Sequence, residues 1–223
     1  MSVLENIGLI KSQIEDAAGE CGRDAGEINL VAVSKKQPDA RIQEALDAGH
    51  RLFGENRVQE AQSHWADRRA SYPDLKLHLI GPLQTNKVKE AVALFDVIET
   101  LDREKLARAL ASEMQKQEKI LPCFIQVNTG EEEQKAGIAP ADVVDFYEFA
   151  TGECGLNIIG LMCIPPADEP PALHFALLQK YAGALGVADL SMGMSGDFEK
   201  AIPLGATYVR VGTGVFGARD YDL

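Results

Sequence analysis

The sequence has few basic residues for its length. Its 223 residues include 22 Lys and Arg against 34 Asp and Glu, which gives a net charge of -12 and an isoelectric point near 4.8. A chain of this charge repels the phosphate backbone of nucleic acids and the surface of anionic membranes. We therefore expect no nucleic-acid partner and no membrane partner.

Long apolar runs and paired cysteines are also missing. No apolar stretch reaches the roughly 18 residues that a membrane helix needs, and the N-terminus carries Glu5 where a secretory signal peptide would be basic. The cysteines lack the CxxC spacing of zinc and redox sites, since they stand at Cys21, Cys123, Cys154 and Cys163. These absences favour a cytoplasmic protein with free thiols, without disulfides or a bound metal.

The sequence does contain one repeated unit, in which a short apolar strand is followed by a loop with Gly or Asn and then by a helical stretch. An amphipathic helix over Val3–Gly19 precedes the first unit. Strands are predicted to begin near Asn29, Arg51, Lys76, Asp96, Pro122, Asn157, Asp189 and Thr207. Helices are predicted over Ala40–Ala48, Val58–Ala70, Asn86–Leu94, Arg103–Gln117, Asp142–Thr151, Pro171–Leu185 and Phe198–Ile202.

Strands that alternate with helices indicate parallel pairing and right-handed crossovers. Eight such units in a chain of this length predict an α/β fold, a single (β/α)8 TIM barrel with an extra N-terminal helix. No linker rich in Pro, Gly or Ser interrupts the pattern. We therefore expect residues 1–223 to form one domain.

Lys35 directly follows the apolar segment Ile28–Ser34. Side chains alternate along a strand, so Val31, Val33 and Lys35 are predicted to share one face. An amine at the rim of an apolar wall is partly desolvated, which disfavours its charged form and suits Schiff-base chemistry. The alternative is a solvated lysine at an ordinary strand end.

Two glycine-containing loops follow the seventh and eighth strands, where barrels of this type often hold phosphate. In the first, residues 193–197, Ser195 is predicted to be the N-cap of a short helix, whose N–H groups favour an anion. In the second, residues 212–217, Gly212 allows close backbone approach and Thr213 supplies a hydroxyl. Each loop alone could be an ordinary turn, but together they predict a phosphate site.

Other polar residues end or interrupt the predicted strands. Asn56 follows the second strand, and Arg210 lies within the eighth, directed either outward against helices or inward towards an anionic or electron-rich group. For His78, a hydrogen-bonded core position and contact with a cofactor ring are equal alternatives. The acidic run 131–133 and the adjacent Lys135 are predicted to be solvated.

An amine after the first strand and a phosphate site after the last two suit a ligand with both an aldehyde and a phosphate, such as pyridoxal 5'-phosphate (PLP). Six ordered motifs stand along the chain: Val31–Lys35, Phe53–Glu60, His78–Lys87, Gly160–Met162, Met192–Ser195 and Arg210–Thr213. With these motifs the sequence resembles the pyridoxal phosphate homeostasis protein family. Its members are single-domain, fold-type III PLP barrels similar to the N-terminal barrel of alanine racemase.

The resemblance implies a set of cofactor-binding residues. They are the Schiff-base lysine Lys35, the phosphate-binding residues Ser195, Gly212 and Thr213, Arg210 near the pyridine nitrogen, Asn56 and His78 along the ring pocket, and Met194 as a further binding residue.

Two features of the sequence argue against catalysis. Arg210 stays protonated in a protein and would keep the pyridine nitrogen neutral, which weakens the ring as an electron sink. Racemisation also needs a second acid–base group. Alanine racemase takes this group from an additional domain and a dimer partner, and here only about a dozen residues follow the eighth strand, so we expect that domain to be absent.

The resemblance therefore implies a monomer that buffers PLP and delivers it to PLP-dependent apo-enzymes. Two alternatives stay open. One is a vestigial amino-acid racemase or another PLP enzyme, and the other is a PLP-independent Schiff-base lyase of the aldolase type.

Overall fold

Eight parallel strands form a closed barrel in the computed structural model, which describes residues 1–217. The strands are β1 (Asn29–Val33), β2 (Leu52–Glu55), β3 (Lys76–Leu79), β4 (Val97–Leu101), β5 (Pro122–Val127), β6 (Asn157–Cys163), β7 (Asp189–Met194) and β8 (Tyr208–Val211). β1 pairs with both β2 and β8, with Val31 opposite Arg210, and this pairing closes the sheet. The predicted (β/α)8 barrel is confirmed.

Helices surround the barrel. Within residues 1–217 they are α1 (Val3–Glu20), α2 (Asp39–Asp47), α3 (Val58–Trp65), α4 (Arg68–Ser71), α5 (Val88–Leu94), α6 (Glu104–Lys116), α7 (Val143–Glu148), α8 (Pro171–Leu185), α9 (Phe198–Ala201) and α10 (Thr213–Phe216). None of these helices is long and apolar enough to cross a membrane.

The extra N-terminal helix is confirmed as α1. It begins with a capping box, because the Ser2 hydroxyl accepts from the Glu5 N–H at 3.2 Å and the Glu5 carboxylate accepts from the Ser2 N–H at 2.8 Å. Ile7, Ile10 and Ile14 recur at helical spacing and are buried. This apolar stripe therefore packs α1 onto the core of the barrel.

Two helical predictions differ from the structure. The helix predicted over Val58–Ala70 is divided into α3 and α4 by a turn at Ala66 and Asp67, where the Arg68 guanidinium donates to the His64 carbonyl. The helix α10 was not predicted, since four residues that include Gly214 show no helical periodicity.

The inside of the barrel holds its own apolar cluster, formed by Val97, Phe124 and Met162 with Tyr208 packed against them. The Tyr208 ring lies 5.4 Å from the ring of His78 and 5.6 Å from that of Phe124, measured between centroids. These residues come from β3, β4, β5, β6 and β8, so their side chains meet at the barrel axis. Polar residues occupy the next layer towards the carboxyl ends of the strands.

The predicted free thiols are present, since all four cysteines are unpaired within residues 1–217. Burial raises the pKa of both Cys123 and Cys163 to about 12, so these two stay protonated and unreactive. Cys21 is exposed.

Candidate functional site

A buried chain of hydrogen bonds crosses the barrel interior. The His78 ring donates from Nδ1 to Glu99 Oε1 at 2.6 Å, and the Ser191 hydroxyl donates to Glu99 Oε2 at 2.6 Å. Arg210 donates to the Ser191 hydroxyl at 2.6 Å and to the Cys163 carbonyl at 2.8 Å. The chain thus joins β3, β4, β6, β7 and β8 and holds the Arg210 side chain inside the barrel.

Glu99 is the anionic centre of this chain and is fully buried. Burial raises the pKa of its carboxyl, but the hydrogen bond from the His78 ring, the electrostatic effects of His78 and of the Arg210 guanidinium, and the Ser191 hydroxyl together outweigh burial, so the pKa lies below its ordinary value. Glu99 is therefore ionised and provides the counter-charge for Arg210.

Lys35 lies at the carboxyl end of β1, as predicted from the alternation of the strand. Ser34 continues the pairing of the strand, because its N–H donates to the Gly54 carbonyl at 3.0 Å. A turn follows, in which the Gln37 N–H donates to the Ser34 carbonyl at 3.1 Å and Lys35 and Lys36 occupy the two central positions. Lys35 is half-buried and Lys36 is exposed, so of these two lysines only Lys35 has the partial burial expected of a desolvated amine.

Backbone N–H groups converge beside the Ser195 hydroxyl. Its Oγ accepts from the N–H of Gly212 at 3.3 Å and from that of Gly214 at 3.5 Å. A β-carbon on Gly214 would lie 2.7 Å from Cγ1 of Val211, so this position requires glycine. We call this arrangement of Ser195, Gly212, Thr213 and Gly214 the anion cradle, because oriented N–H groups and hydroxyls are the donors that an anion needs.

Ser195 is not the N-cap of a helix, so that prediction was wrong. The N-cap of α9 is Asp197, which comes two residues later. The Asp197 carboxylate accepts from the Met194 N–H at 2.6 Å, and the Asp197 N–H donates to the Met194 carbonyl at 3.1 Å. These two bonds form the turn before α9 and leave Ser195 at its exposed tip, directed towards the loop after β8.

The anion cradle adjoins the strand that carries Lys35. A β-carbon on Gly212 would lie 3.5 Å from Cβ of Val33, two residues before Lys35. The pairing of β1 with β8 therefore brings the predicted amine and the predicted phosphate loops to one side of the barrel mouth.

Asn56 follows β2 at the same end of the barrel. The chain approaches it closely at Gly81, where a β-carbon would lie 2.3 Å from the Asn56 carbonyl oxygen. Asn56 borders a cavity of about 510 Å³ that is otherwise lined by Arg57, Val58, Gln59, Pro82, Leu83, Gln84 and Lys87. The structure thus places Asn56 at the mouth, whereas His78 lies deeper, within the buried chain.

The acidic loop after β5 is more ordered than predicted. Glu131 and Glu133 are exposed as expected, but Glu132 is half-buried and pairs with Lys135 at 2.5 Å. Lys135 also donates to the Pro165 carbonyl at 3.3 Å. The prediction of a solvated Lys135 was therefore wrong, because its ammonium ties the loop after β5 to the loop after β6.

The roles of Glu99 and Ser191 in the buried chain of hydrogen bonds were not predicted from the sequence. A signal was available for Glu99, because a charged residue stands in the middle of the otherwise uncharged strand Val97–Leu101. Nothing in the local sequence distinguishes Ser191 from a turn serine.

The chain has relatives of similar sequence among known proteins. The family model described as "Alanine racemase, N-terminal domain" matches residues 12–220. A protein of Vibrio cholerae named "Pyridoxal phosphate homeostasis protein" is 41% identical over 99% of this chain and 98% of its own length. A protein of Escherichia coli K12 with the same name is 37% identical over 99% of this chain and 98% of its own length.

Solved structures are similar as well. PipY of Synechococcus elongatus, solved with PLP bound, is 35% identical, with a TM-score of 0.85 over 97% of this chain and 100% of its own. An alanine racemase of Clostridium difficile shares the fold at 13% identity, with a TM-score of 0.69 over 95% of this chain and 57% of its own.

Proposed function

We propose that this chain binds PLP and takes part in PLP homeostasis. The chain belongs to the pyridoxal phosphate homeostasis protein family. The proposal rests on the position of Lys35 directly after β1, close to the anion cradle in the loops after β7 and the paired strand β8. PipY, which is 35% identical and matches 97% of this chain, has been solved with PLP bound.

The residues at the barrel mouth suit this cofactor. The anion cradle holds the backbone N–H groups of Gly212 and Gly214, which here donate to Ser195 Oγ over long distances, together with the hydroxyls of Ser195 and Thr213. Groups of both kinds are donors from which a phosphate can accept. The nearby Asp197 carboxylate is bonded to the Met194 N–H and so belongs to its own turn. Lys35 supplies a half-buried amine on the neighbouring strand.

The chain's residues would then divide the binding task. Ser195, Gly212 and Thr213 would hold the phosphate, and Lys35 would bond to the aldehyde carbon. Arg210 would face the pyridine nitrogen, with Asn56, His78 and Met194 as further contacts. When bound, PLP supplies an aldehyde that reacts with amines and a ring that withdraws electrons.

We further propose that the protein is a carrier without catalytic turnover. Glu99 and Ser191 hold Arg210 in place as a permanent cation, so a ring nitrogen beside it would accept a hydrogen bond and stay unprotonated. The names of the relatives describe homeostasis. In this proposal one domain of residues 1–223 acts as a cytoplasmic monomer and passes PLP to apo-enzymes.

A spectrum and a covalent label test the binding proposal. The purified protein with PLP should absorb in the visible range, and borohydride should remove this absorbance and fix PLP to Lys35. Peptide mapping identifies the labelled residue, with Lys36→Ala and Lys135→Ala as matched variants that should keep the label. Label found only on Lys36 or Lys135, or no visible absorbance, would contradict the proposal.

Proton exchange tests the carrier proposal. Incubation of the PLP-loaded protein with amino acids in deuterated water should leave the hydrogen on the α-carbon in place, as followed by NMR. Rapid exchange that depends on the unmodified protein would instead establish a PLP enzyme of the racemase type.

A further inference from the structure

The turn that presents Lys35 has a backbone strain at its third position. Lys36 has a φ of 56°, in the left-handed region that residues other than glycine rarely occupy. This conformation is unfavourable for a residue with a β-carbon, because the β-carbon comes too close to the following carbonyl oxygen. A strained turn of this kind persists when its surroundings fix it, so the contacts of residues 34–37 matter for the direction of Lys35.

The first of these contacts comes from α3. The Glu60 carboxylate accepts a hydrogen bond from the Lys36 N–H, the backbone group of the strained residue itself. Glu60 is the third residue of α3, where a glutamate commonly bonds the N–H of its own helix cap. Here α3 has no side-chain cap, and the carboxylate reaches across to the loop after β1 instead.

The second contact fixes the turn from its other side. The Ser34 hydroxyl donates to Glu55 Oε1 at 2.7 Å, and both residues are fully buried. His64 and Trp65, from the end of α3, place ring N–H groups on the same oxygen at 2.9 and 3.0 Å. The last turn of α3 thus holds Glu55, which in turn bonds Ser34, and the first turn of α3 holds Lys36. Lys35 lies between Ser34 and Lys36, which are both fixed by these bonds.

Glu55, Glu60 and His64 also have a spacing that could suit a metal ion, since their ligand atoms lie within 4.8 Å of one another. Ser34, Trp65 and His64 direct donors to Glu55 Oε1, whereas the buried Glu55 Oε2 has no hydrogen-bond partner within residues 1–217. The Glu60 carboxylate accepts from the Lys36 N–H. The three donors on Glu55 and the backbone bond of Glu60 fit a structural anchor.

We propose that Glu60, supported by Glu55, is a positioning residue that holds the Ser34–Gln37 turn so that the Lys35 amine reaches the aldehyde of PLP. The inference rests on the proposed PLP binding. Glu60 would act only through the backbone of the turn, so its loss should weaken the bond between Lys35 and the aldehyde and leave the phosphate contacts intact.

Two ligands separate these effects. PLP carries the aldehyde, whereas 4'-deoxypyridoxine phosphate has the same ring and phosphate but no aldehyde. Glu60→Ala should weaken PLP binding about tenfold, the equivalent of one charge-assisted hydrogen bond, and should leave binding of the deoxy analogue unchanged. Glu60→Gln keeps an oxygen acceptor without the charge and should lose clearly less PLP affinity than Glu60→Ala. Gln62→Ala changes an exposed residue of the same helix and should bind PLP like the wild type.

A second substitution tests the strain directly. Lys36→Gly, placed in the Glu60→Ala background, should restore much of the PLP affinity because glycine adopts a positive φ without cost. Circular dichroism should show the folded state of each variant. If Glu60→Ala does not fold, Ser34→Ala replaces it with the same pair of ligands, since it removes the hydroxyl bonded to Glu55.

The results with the two ligands distinguish a failure of the Glu60 inference from a failure of the proposed PLP binding. The inference is overturned if Glu60→Ala binds PLP like the wild type, if it loses both ligands equally, or if Glu60→Gln loses as much as Glu60→Ala. A wild-type protein that binds neither ligand would instead refute the proposed function, which is a different result from any of these.

Discussion

At the scale of single residues, Arg210 depends on a partner far away in the sequence. Alternation along a strand is local, so the sequence was sufficient to place Lys35 at the end of β1 next to the face of Val31 and Val33. The contact of Arg210 with Glu99 through Ser191 depends on how three strands meet across the barrel, and no local pattern encodes it.

Glu99→Gln tests the importance of this buried anion. The substitution leaves Arg210 buried without its counter-charge, and breaking a buried ionic contact typically costs about 3–5 kcal/mol. We expect urea denaturation to show a loss of that size in the free energy of unfolding. Ser191→Ala, which keeps the carboxylate, should lose only about 1–3 kcal/mol. Equal stability of Glu99→Gln and the wild type would show that Arg210 does not need this anion.

The hydroxyls of the anion cradle give a separate prediction. Ser195→Ala and Thr213→Val should each weaken PLP binding by roughly 1–3 kcal/mol, because each removes a hydrogen bond to the phosphate. The position of the visible absorbance should stay nearly the same, since it depends on Lys35. Fluorescence titration measures the affinity. The assignment fails if neither variant loses affinity, or if pyridoxal without phosphate binds as tightly as PLP.

At the scale of secondary-structure elements, the repeated strand–loop–helix unit made the strands predictable, even those of four residues. Helix α1 shows its periodicity over 18 residues. The four-residue helix α10 and the N-cap of α9 at Asp197 have no comparable signal. These two features lie in or beside the anion cradle and depend on individual hydrogen bonds, such as that between Asp197 and the Met194 N–H. This is why Ser195 was assigned the wrong local role.

The contact between α1 and α10 gives a prediction for an element. The buried Asn6 amide donates to the Val215 carbonyl at 2.9 Å and so joins α1 to α10, the helix that contains Thr213 and Gly214 of the anion cradle. Asn6→Leu should lose about 1–3 kcal/mol of unfolding free energy and should bind PLP more weakly, because α10 is no longer fixed. Urea denaturation and PLP titration measure the two effects.

Ser2→Ala is the matched control on the same helix. It removes the cap of α1 and should cost about 1 kcal/mol of stability without a change in PLP affinity, since Ser2 lies outside the cradle. If Asn6→Leu destabilises the protein but binds PLP normally, α1 supports the fold alone.

At the scale of the whole molecule, the stability of the barrel should depend on pH through its buried histidines. His50 bonds to the Leu52 carbonyl at 2.7 Å, and burial lowers the pKa of its ring to about 4. Between pH 6.5 and 4 the unfolded chain binds a proton on His50 that the folded chain does not, so stability falls as the pH falls.

His64 has the opposite effect. The hydrogen bond to Glu55 raises the pKa of His64, so its contribution to the free energy of unfolding is present below about pH 6.5 and is lost as the pH rises.

His50→Gln should therefore flatten the acid side of the stability profile. The wild type should lose up to about 3 kcal/mol from His50 between pH 6.5 and 4, and the variant should lack this part of the loss. Urea denaturation at several pH values in this range measures it. An identical slope in both proteins would mean that other groups account for the acid sensitivity.

The pairing of β1 with β8 also sets an order in time. A ribosome makes Lys35 early, but Gly212 and Thr213 emerge only after every other strand has been synthesised. In the proposed function, a nascent chain would therefore carry the Lys35 amine through the synthesis of seven strands before the phosphate-binding loop after β8 exists. Capture of PLP would have to wait until β8 and the loop after it have been made.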